Sequence, residues 1–175
     1  MKVTHHLLTH HERRFAADDV IVTKTDLKGH ITYANRVFLR VSGLDLKSTL
    51  GAPHSLIRHP DMPRCIFKLL WERLHAGKEV FAYVVNRATS GDHYWVFAHV
   101  TPSLDIGGKI AGYHSNRRVP KRETVEQVIK PLYADLLAEE ARFENRKEGM
   151  NRAFDLLTGK LNERGLDYDE FIFAI

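Results

Sequence analysis

The chain has 175 residues, one cysteine and a formal net charge of +4 with the histidines neutral. That suits one ordinary domain with a few appended helices, and it excludes an internal disulfide or a multi-cysteine metal site. Hydrophobic residues make up 43% and charged residues 27%, as in a soluble globular protein; no apolar run approaches the roughly 20 residues that cross a bilayer, so no direct membrane insertion is expected.

The opening stretch, MKVTHHLLTHHERRF, is too polar for a secretory signal, which points to the cytoplasm. Residues 4–17 carry Leu7, Leu8 and Phe15 among polar neighbours, so a short N-terminal helix is expected over residues 1–17. Its histidines, His5, His6, His10 and His11, read as an exposed polar face rather than a metal site. Asp19 to Asp26 is short and β-branched, hence a strand. Leu27-Lys28-Gly29 turns the chain into a second strand, His30 to Ala34, and the two make a hairpin. Asn35 caps a helix through Val41 that Ser42-Gly43 ends. Asp45 to Leu50 is one more helical turn.

Gly51 to Trp71 is the chain's centre. In Arg58-His59-Pro60-Asp61-Met62-Pro63 two prolines fix their own φ and push the preceding residues out of the helical region, leaving a stiff loop that displays a cation, an imidazole and a carboxylate. An amphipathic helix follows, with Phe67, Leu70, Trp71 and Leu74 at helical spacing; Asp61 stands where a cap would, and Pro63 suits the first turn. The stretch fits equally a wall for a small polar ligand and a plain capped helix on a turn-rich loop.

Three strands come next: Val80 to Asn86, His93 to Thr101 and Lys109 to Asn116, joined by Ser90-Gly91-Asp92 and Asp105-Ile106-Gly107-Gly108. Hairpin, helices and meander predict an α+β domain over residues 18–119, with a five-stranded antiparallel sheet, flanking helices and a pocket beneath the central loop. Residues 120–175 form a C-terminal helical extension. Pro131 kinks or restarts its first helix, Gly149 allows a break, Met150 to Leu161 make a second amphipathic helix, and Asp167 caps a third. The apolar row Leu132, Leu136, Met150, Phe154, Leu157 and Leu161 marks either an association surface or helices that fold back on the sheet. The basic excess at Arg117, Arg118, Lys121 and Arg122 lacks the stripe and aromatics of a nucleic-acid face and reads as a solvated linker.

Several segments carry a resemblance. They are Thr25-Asp26-Leu27 with Ile31-Thr32-Tyr33-Ala34-Asn35, then Gly51-Ala52-Pro53-His54, the Arg58 to Pro63 motif, Asn86-Arg87, Gly91-Asp92-His93-Tyr94-Trp95, and Gly112-Tyr113. Together, over about residues 18–133, they resemble the FAD-binding PAS domains of the bacterial aerotaxis-receptor family. The resemblance implies a PAS fold, a non-covalent FAD that senses redox or oxygen state, and signalling linked to chemotaxis. It also implies a likeness to the split form of such systems, in which a homodimeric PAS protein docks on a methyl-accepting chemoreceptor or other signalling protein. By resemblance Arg58, His59, Asp61, Asn35, Phe67 and Asn86 bind the flavin, and Trp71 joins Phe67 in packing on its ring. The pattern departs at Val80, where the family carries a tryptophan, and at Ala82 and Val85, which replace a glycine and a lysine. Cys65, in MPRCIF, lacks the photoactive motif of light-sensing relatives. No nucleophile–base pair or phosphate loop is visible, so an enzyme is not expected. The alternative is a PAS module for protein–protein interaction and dimerisation that is ligand-free or holds another small ligand.

Overall fold

The computed structural model describes residues 8–175. Strands β1 (Ile21–Thr25) and β2 (Ile31–Ala34) form the first hairpin, and Asp26 closes its turn by accepting the backbone N–H groups of Lys28 and His30. Gly29 sits there at φ 80°, a conformation open to glycine. Helix α1 (Arg36–Ser42) begins at the Asn35 cap and ends at Gly43, φ 72°. Helix α2 (Leu46–Thr49) is capped by Asp45, and a 3-10 turn covers His54–Ile57. After the proline loop come helix α3 (Arg64–His75) and strands β3 (Val80–Arg87), β4 (His93–Leu104) and β5 (Ile110–Arg118). The sheet is five-stranded, antiparallel and ordered β2-β1-β5-β4-β3.

Strand alternation sorts its two faces. Thr23, Val84, Asn86, Ala98, Ser115 and Arg117 share the inner face, toward α3 and the 3-10 turn. Trp95 and Phe97 face outward, where the ring of Tyr133 approaches Trp95.

The N-terminal segment differs from its expected helix. Its described part, residues 8–17, is non-helical, and residues 9–13 run beside the start of β4. Arg13 donates its N–H to His93 O, His93 donates to His11 O, and Thr9 donates to Gly91 O. One weak apolar edge cannot support a lone short helix, whereas β4 offers backbone partners. Asp92 anchors the segment through the Thr9 hydroxyl and the Arg13 guanidinium, which hold its carboxyl far below the ordinary range. His5 and His6 lie outside the described residues, and no metal-ligating cluster occurs among the described ones.

The extension folds back. Helix α4 (Arg122–Thr124), a π-helical segment (Val125–Ile129) and helix α5 (Lys130–Ala141) run continuously, the wide π turn meeting Pro131. Helix α6 (Arg146–Asn162) returns beside α5, and helix α7 (Tyr168–Ala174) closes the chain with a capping box between Asp167 and Glu170. Gly149 makes no break: it lies inside α6, where a Cβ would stand 2.4 Å from Glu140 O of α5. The apolar row is used within the chain, Leu136 and Leu157 at 0% exposure. Lys68 of α3 donates to Asn151 of α6 and lies over the Phe154 ring. The hydroxyls of Tyr133 and Tyr168 donate to the main-chain oxygens of Tyr83 and Phe81, so the free edge of β3 is covered. No helix among the described residues is long and apolar enough to cross a membrane.

Candidate functional site

Between the inner face of the sheet and α3 lies a cavity of about 270 Å³. Its exposed lining residues, Lys28, Pro53 and Ser55, mark the mouth; Asn86, Ala98, Ser115 and Arg117, among its buried lining residues, mark the inner end. Helix α3 contributes an apolar wall of Phe67, Leu70, Trp71 and Leu74, because its helical spacing puts these on one face. Trp71 meets Tyr113 of β5 edge-on at 5.2 Å, and its ring packs against the Gly29 turn.

Four of the seven residues expected at the site are brought together here. Phe67 and Trp71 supply aromatic surface. Arg58 reaches the cavity from the proline loop, its guanidinium 4.7 Å from the centre of the Phe67 ring and donating to Met62 O. Burial pushes its pKa down. Asn86 stands on β3 at the inner end, and its buried Nδ2 has no partner among the described residues.

The other three sit elsewhere. Asn35 spends its amide on the scaffold: Oδ1 accepts from the N–H groups of Val22 and Phe38, and Nδ2 donates to Val20 O, so it clamps β1 to α1. His59 is buried behind the loop, its Nδ1 accepting from Asp61 N at 3.1 Å and its ring 5.8 Å from that of His93. Burial pushes its pKa down against the pull of Asp61. Asp61 has its side chain 72% exposed and does not cap α3, whose cap position is Pro63. The Cys65 N–H of that first turn is instead satisfied by the Glu140 carboxylate of α5 at 2.9 Å. Burial, with Glu140 beside it, pushes the Cys65 thiol up to about 12, which makes it inert.

The departure at Val80 leaves no gap. Val80 is wholly buried in the core, pairs with Val100 and does not line the cavity. The aromatic wall comes from Phe67, Trp71 and Tyr113.

One cluster escaped the sequence reading. Arg117, expected in a solvated basic linker, is 3% exposed on the inner face of β5. Its Nε donates to Ser115 Oγ, and its Nη2 to Thr23 Oγ1 and His54 Nε2; Nη1 has no partner among the described residues. Burial lowers its pKa to about 10. Burial first, and the adjacent Arg117 second, push the His54 pKa down to about 3, so this imidazole is neutral. Since arginine only donates, His54 Nε2 is the acceptor and Nδ1 carries the hydrogen. The signal in the sequence was strand period: Tyr113, Ser115 and Arg117 alternate, so one inward residue places all three.

The orphaned donors define what the cavity suits: a ligand with hydrogen-bond acceptors at its inner end and a flat apolar body between Phe67, Trp71 and Val84. A flavin ring, with carbonyl and ring-nitrogen acceptors along one edge, fits that donor set.

Comparisons with known proteins agree with this architecture. The PAS fold family profile matches residues 12–114. The aerotaxis receptor of Escherichia coli strain K12 is 40% identical over 137 residues, 77% of this chain and 26% of the receptor. The nitrogen fixation regulatory protein of Klebsiella pneumoniae is 30% identical over 112 residues, 63% of this chain and 23% of that protein. The chain thus spans about a quarter of the length of these relatives. Among solved structures, the light-state LOV domain of the blue-light photoreceptor Aureochrome1 aligns with TM-score 0.55 and 22% identity, over 66% of this chain and 91% of that one. A light-oxygen-voltage domain studied with a flavin analogue aligns with TM-score 0.56 and 16% identity, over 66% and 87%. With sheet order, cavity and sequence in accord, the chain belongs to the PAS family, as a PAS domain of the aerotaxis-receptor type.

Proposed function

We propose that the chain is a cytoplasmic sensory PAS module that holds FAD non-covalently and reports its redox state, as a homodimer, to a methyl-accepting chemoreceptor or other signalling protein. The observation that carries this reading is a pair of buried donors, Asn86 Nδ2 and Arg117 Nη1, that have no partner among the described residues and sit on residues lining one cavity. Leaving such groups unpaired costs about 1–3 kcal/mol each, and more for a charge. Phe67 and Trp71 would flank the ring, Asn86 and Arg117 would donate to its acceptor edge, and Arg58 and Lys28 near the mouth suit the diphosphate. FAD supplies reversible redox chemistry; the protein binds, orients and shields it.

The names of the relatives, an aerotaxis receptor and nitrogen fixation regulators, support a sensory role. The test is the absorbance spectrum of protein refolded with excess FAD and desalted. Retained flavin bands at one per chain are expected. A colourless protein overturns the FAD reading and leaves a ligand-free interaction module.

A further inference from the structure

Two imidazoles face each other behind the proline loop. His59 of the loop and His93 at the start of β4 have ring centres 5.8 Å apart, and neither lines the cavity. The loop, the sheet, the N-terminal segment and the extension all meet there. Arg58 bridges through its backbone to Asn86 of β3, and Glu12 bridges to His93. Arg87 of β3 pairs with His93, and Arg122 of α4 donates to the Glu12 carboxylate. The groups facing His59 are Asp61 of its own loop, His93, Arg87 and His10. Those facing His93 are Glu12, Asp61, Lys130 and Arg122, with Glu126 close by.

Asp61 offers His59 two mutually exclusive bonds. His59 Nδ1 accepts the backbone N–H of Asp61 at 3.1 Å, so the neutral ring carries its hydrogen on Nε2. The carboxylate of the same residue stands 3.7 Å from the same Nδ1, beyond hydrogen-bond reach. A proton taken from water onto Nδ1 turns this acceptor into a donor. The backbone N–H then loses its partner and the carboxylate gains one, so the loop must rearrange. His93 acts in the same direction, because charging both rings sets like charges across a contact in which His59 is only 5% exposed.

We propose that His59 is a proton-operated latch of the proline loop: neutral, it holds the Asp61 backbone; charged, it holds the Asp61 carboxylate and the loop draws away from His93. The latch adjoins Arg58, which lines the cavity, and precedes α3, which walls it. A proton input therefore reaches the cavity wall, whatever the cavity binds. Burial pushes the His59 pKa below its ordinary 6.5, against the pull of Asp61. The closed state thus holds at and above 6.5, and the latch opens only as pH falls below that value.

The test uses the full isotope-labelled chain without added ligand. Nuclear magnetic resonance follows the imidazole nitrogens and the Asp61 amide between about pH 5 and 8. His59 should pass from its Nε2–H form to the charged ring below 6.5. With the same midpoint, protection of the Asp61 amide against hydrogen exchange, relative to its intrinsic rate at each pH, should fall about tenfold. Asp61→Asn keeps the backbone N–H and removes the carboxylate, so the His59 midpoint should drop by about half a pH unit or more. His93→Gln removes the facing charge and should raise it. Loosened packing alone would raise both midpoints toward 6.5, so the downward shift in Asp61→Asn identifies the carboxylate as the second partner. Constant Asp61 protection across the range overturns the latch, as does an Asp61→Asn chain that titrates as wild type.

Discussion

The carboxylate of Glu140 accepts the backbone N–H of Cys65 at 2.9 Å, so a residue of the C-terminal extension satisfies the first turn of the helix that walls the cavity. The proline loop offers no side-chain cap of its own. A carboxylate is the favoured group at a helix N-terminus, where the orphan N–H groups and the helix dipole both attract it. The extension and the cavity wall are therefore mechanically joined, and a shift in α3 is felt at α5.

Replacing that carboxylate should show the link. Glu140→Ala should cost about 1 kcal/mol, the usual worth of an N-cap. Tyr133→Phe strands the Tyr83 carbonyl at the edge of β3 and should cost about 1–3 kcal/mol. Urea denaturation measures both. Wild-type midpoints in both variants would mean that the extension does not brace the domain.

Two glycines of α6 should respond in opposite directions. Gly149→Ala places a Cβ 2.4 Å from Glu140 O and must push α5 away, costing on the order of 1–3 kcal/mol. Gly159→Ala meets nothing within 4 Å and should stabilise by about 0.5–1 kcal/mol through helix propensity. Thermal melts of the two variants decide it. Equal shifts would refute the close α5–α6 crossing.

The residues of the central motif should separate by role. Arg58→Ala removes a cation that lines the cavity and should weaken FAD binding about tenfold. Asp61→Ala removes an exposed side chain and should leave affinity within about twofold, a change of less than about 0.5 kcal/mol. Asn35→Ala breaks three scaffold hydrogen bonds and should lower stability by about 2–3 kcal/mol even without ligand. Fluorescence titration and apo melts separate these outcomes. A stable Asn35→Ala protein that binds no flavin would return Asn35 to the site.

The neutral His54 predicts how stability changes with pH. In the unfolded chain it takes up a proton below its ordinary value of 6.5, and in the folded protein only near 3. Between those values the unfolded state binds more protons, so stability falls as pH drops from about 6.5 toward 3 and is complete above 6.5. The slope from this residue is at most about 1.4 kcal/mol per pH unit. His59 and His93, also pushed down by burial, add in the same direction. His54→Gln should flatten the curve measured by urea titration at several pH values; an unchanged slope would show that the fold does not push the His54 pKa down.

The parts of this protein legible in its sequence are those whose causes are local. Asn35 and Asp167 cap helices because each side chain reaches an N–H group three residues on. Gly29 and Gly91 take the positive φ their turns require. The five strands follow from β-branched runs between such turns, and the PAS pattern followed from motifs that span them. The tertiary structure decided every question of partner. Arg117 sits in a run of basic residues, and only the pairing of β5 with β1 and β4 turns it inward. Asp61 lies four residues before Cys65, yet Glu140, from a helix far along the chain, holds that N–H. Residues 9–13 lie beside the start of β4, because a short polar segment has too little apolar surface to stabilise its own helix and takes the backbone partners that the fold presents. The apolar row of the extension looked the same for an exposed docking face as for a buried one; packing against α3 and the edge of β3 chose between them. Propensity and capping act within a few residues, while burial and charge compensation depend on neighbours that only the folded chain brings close.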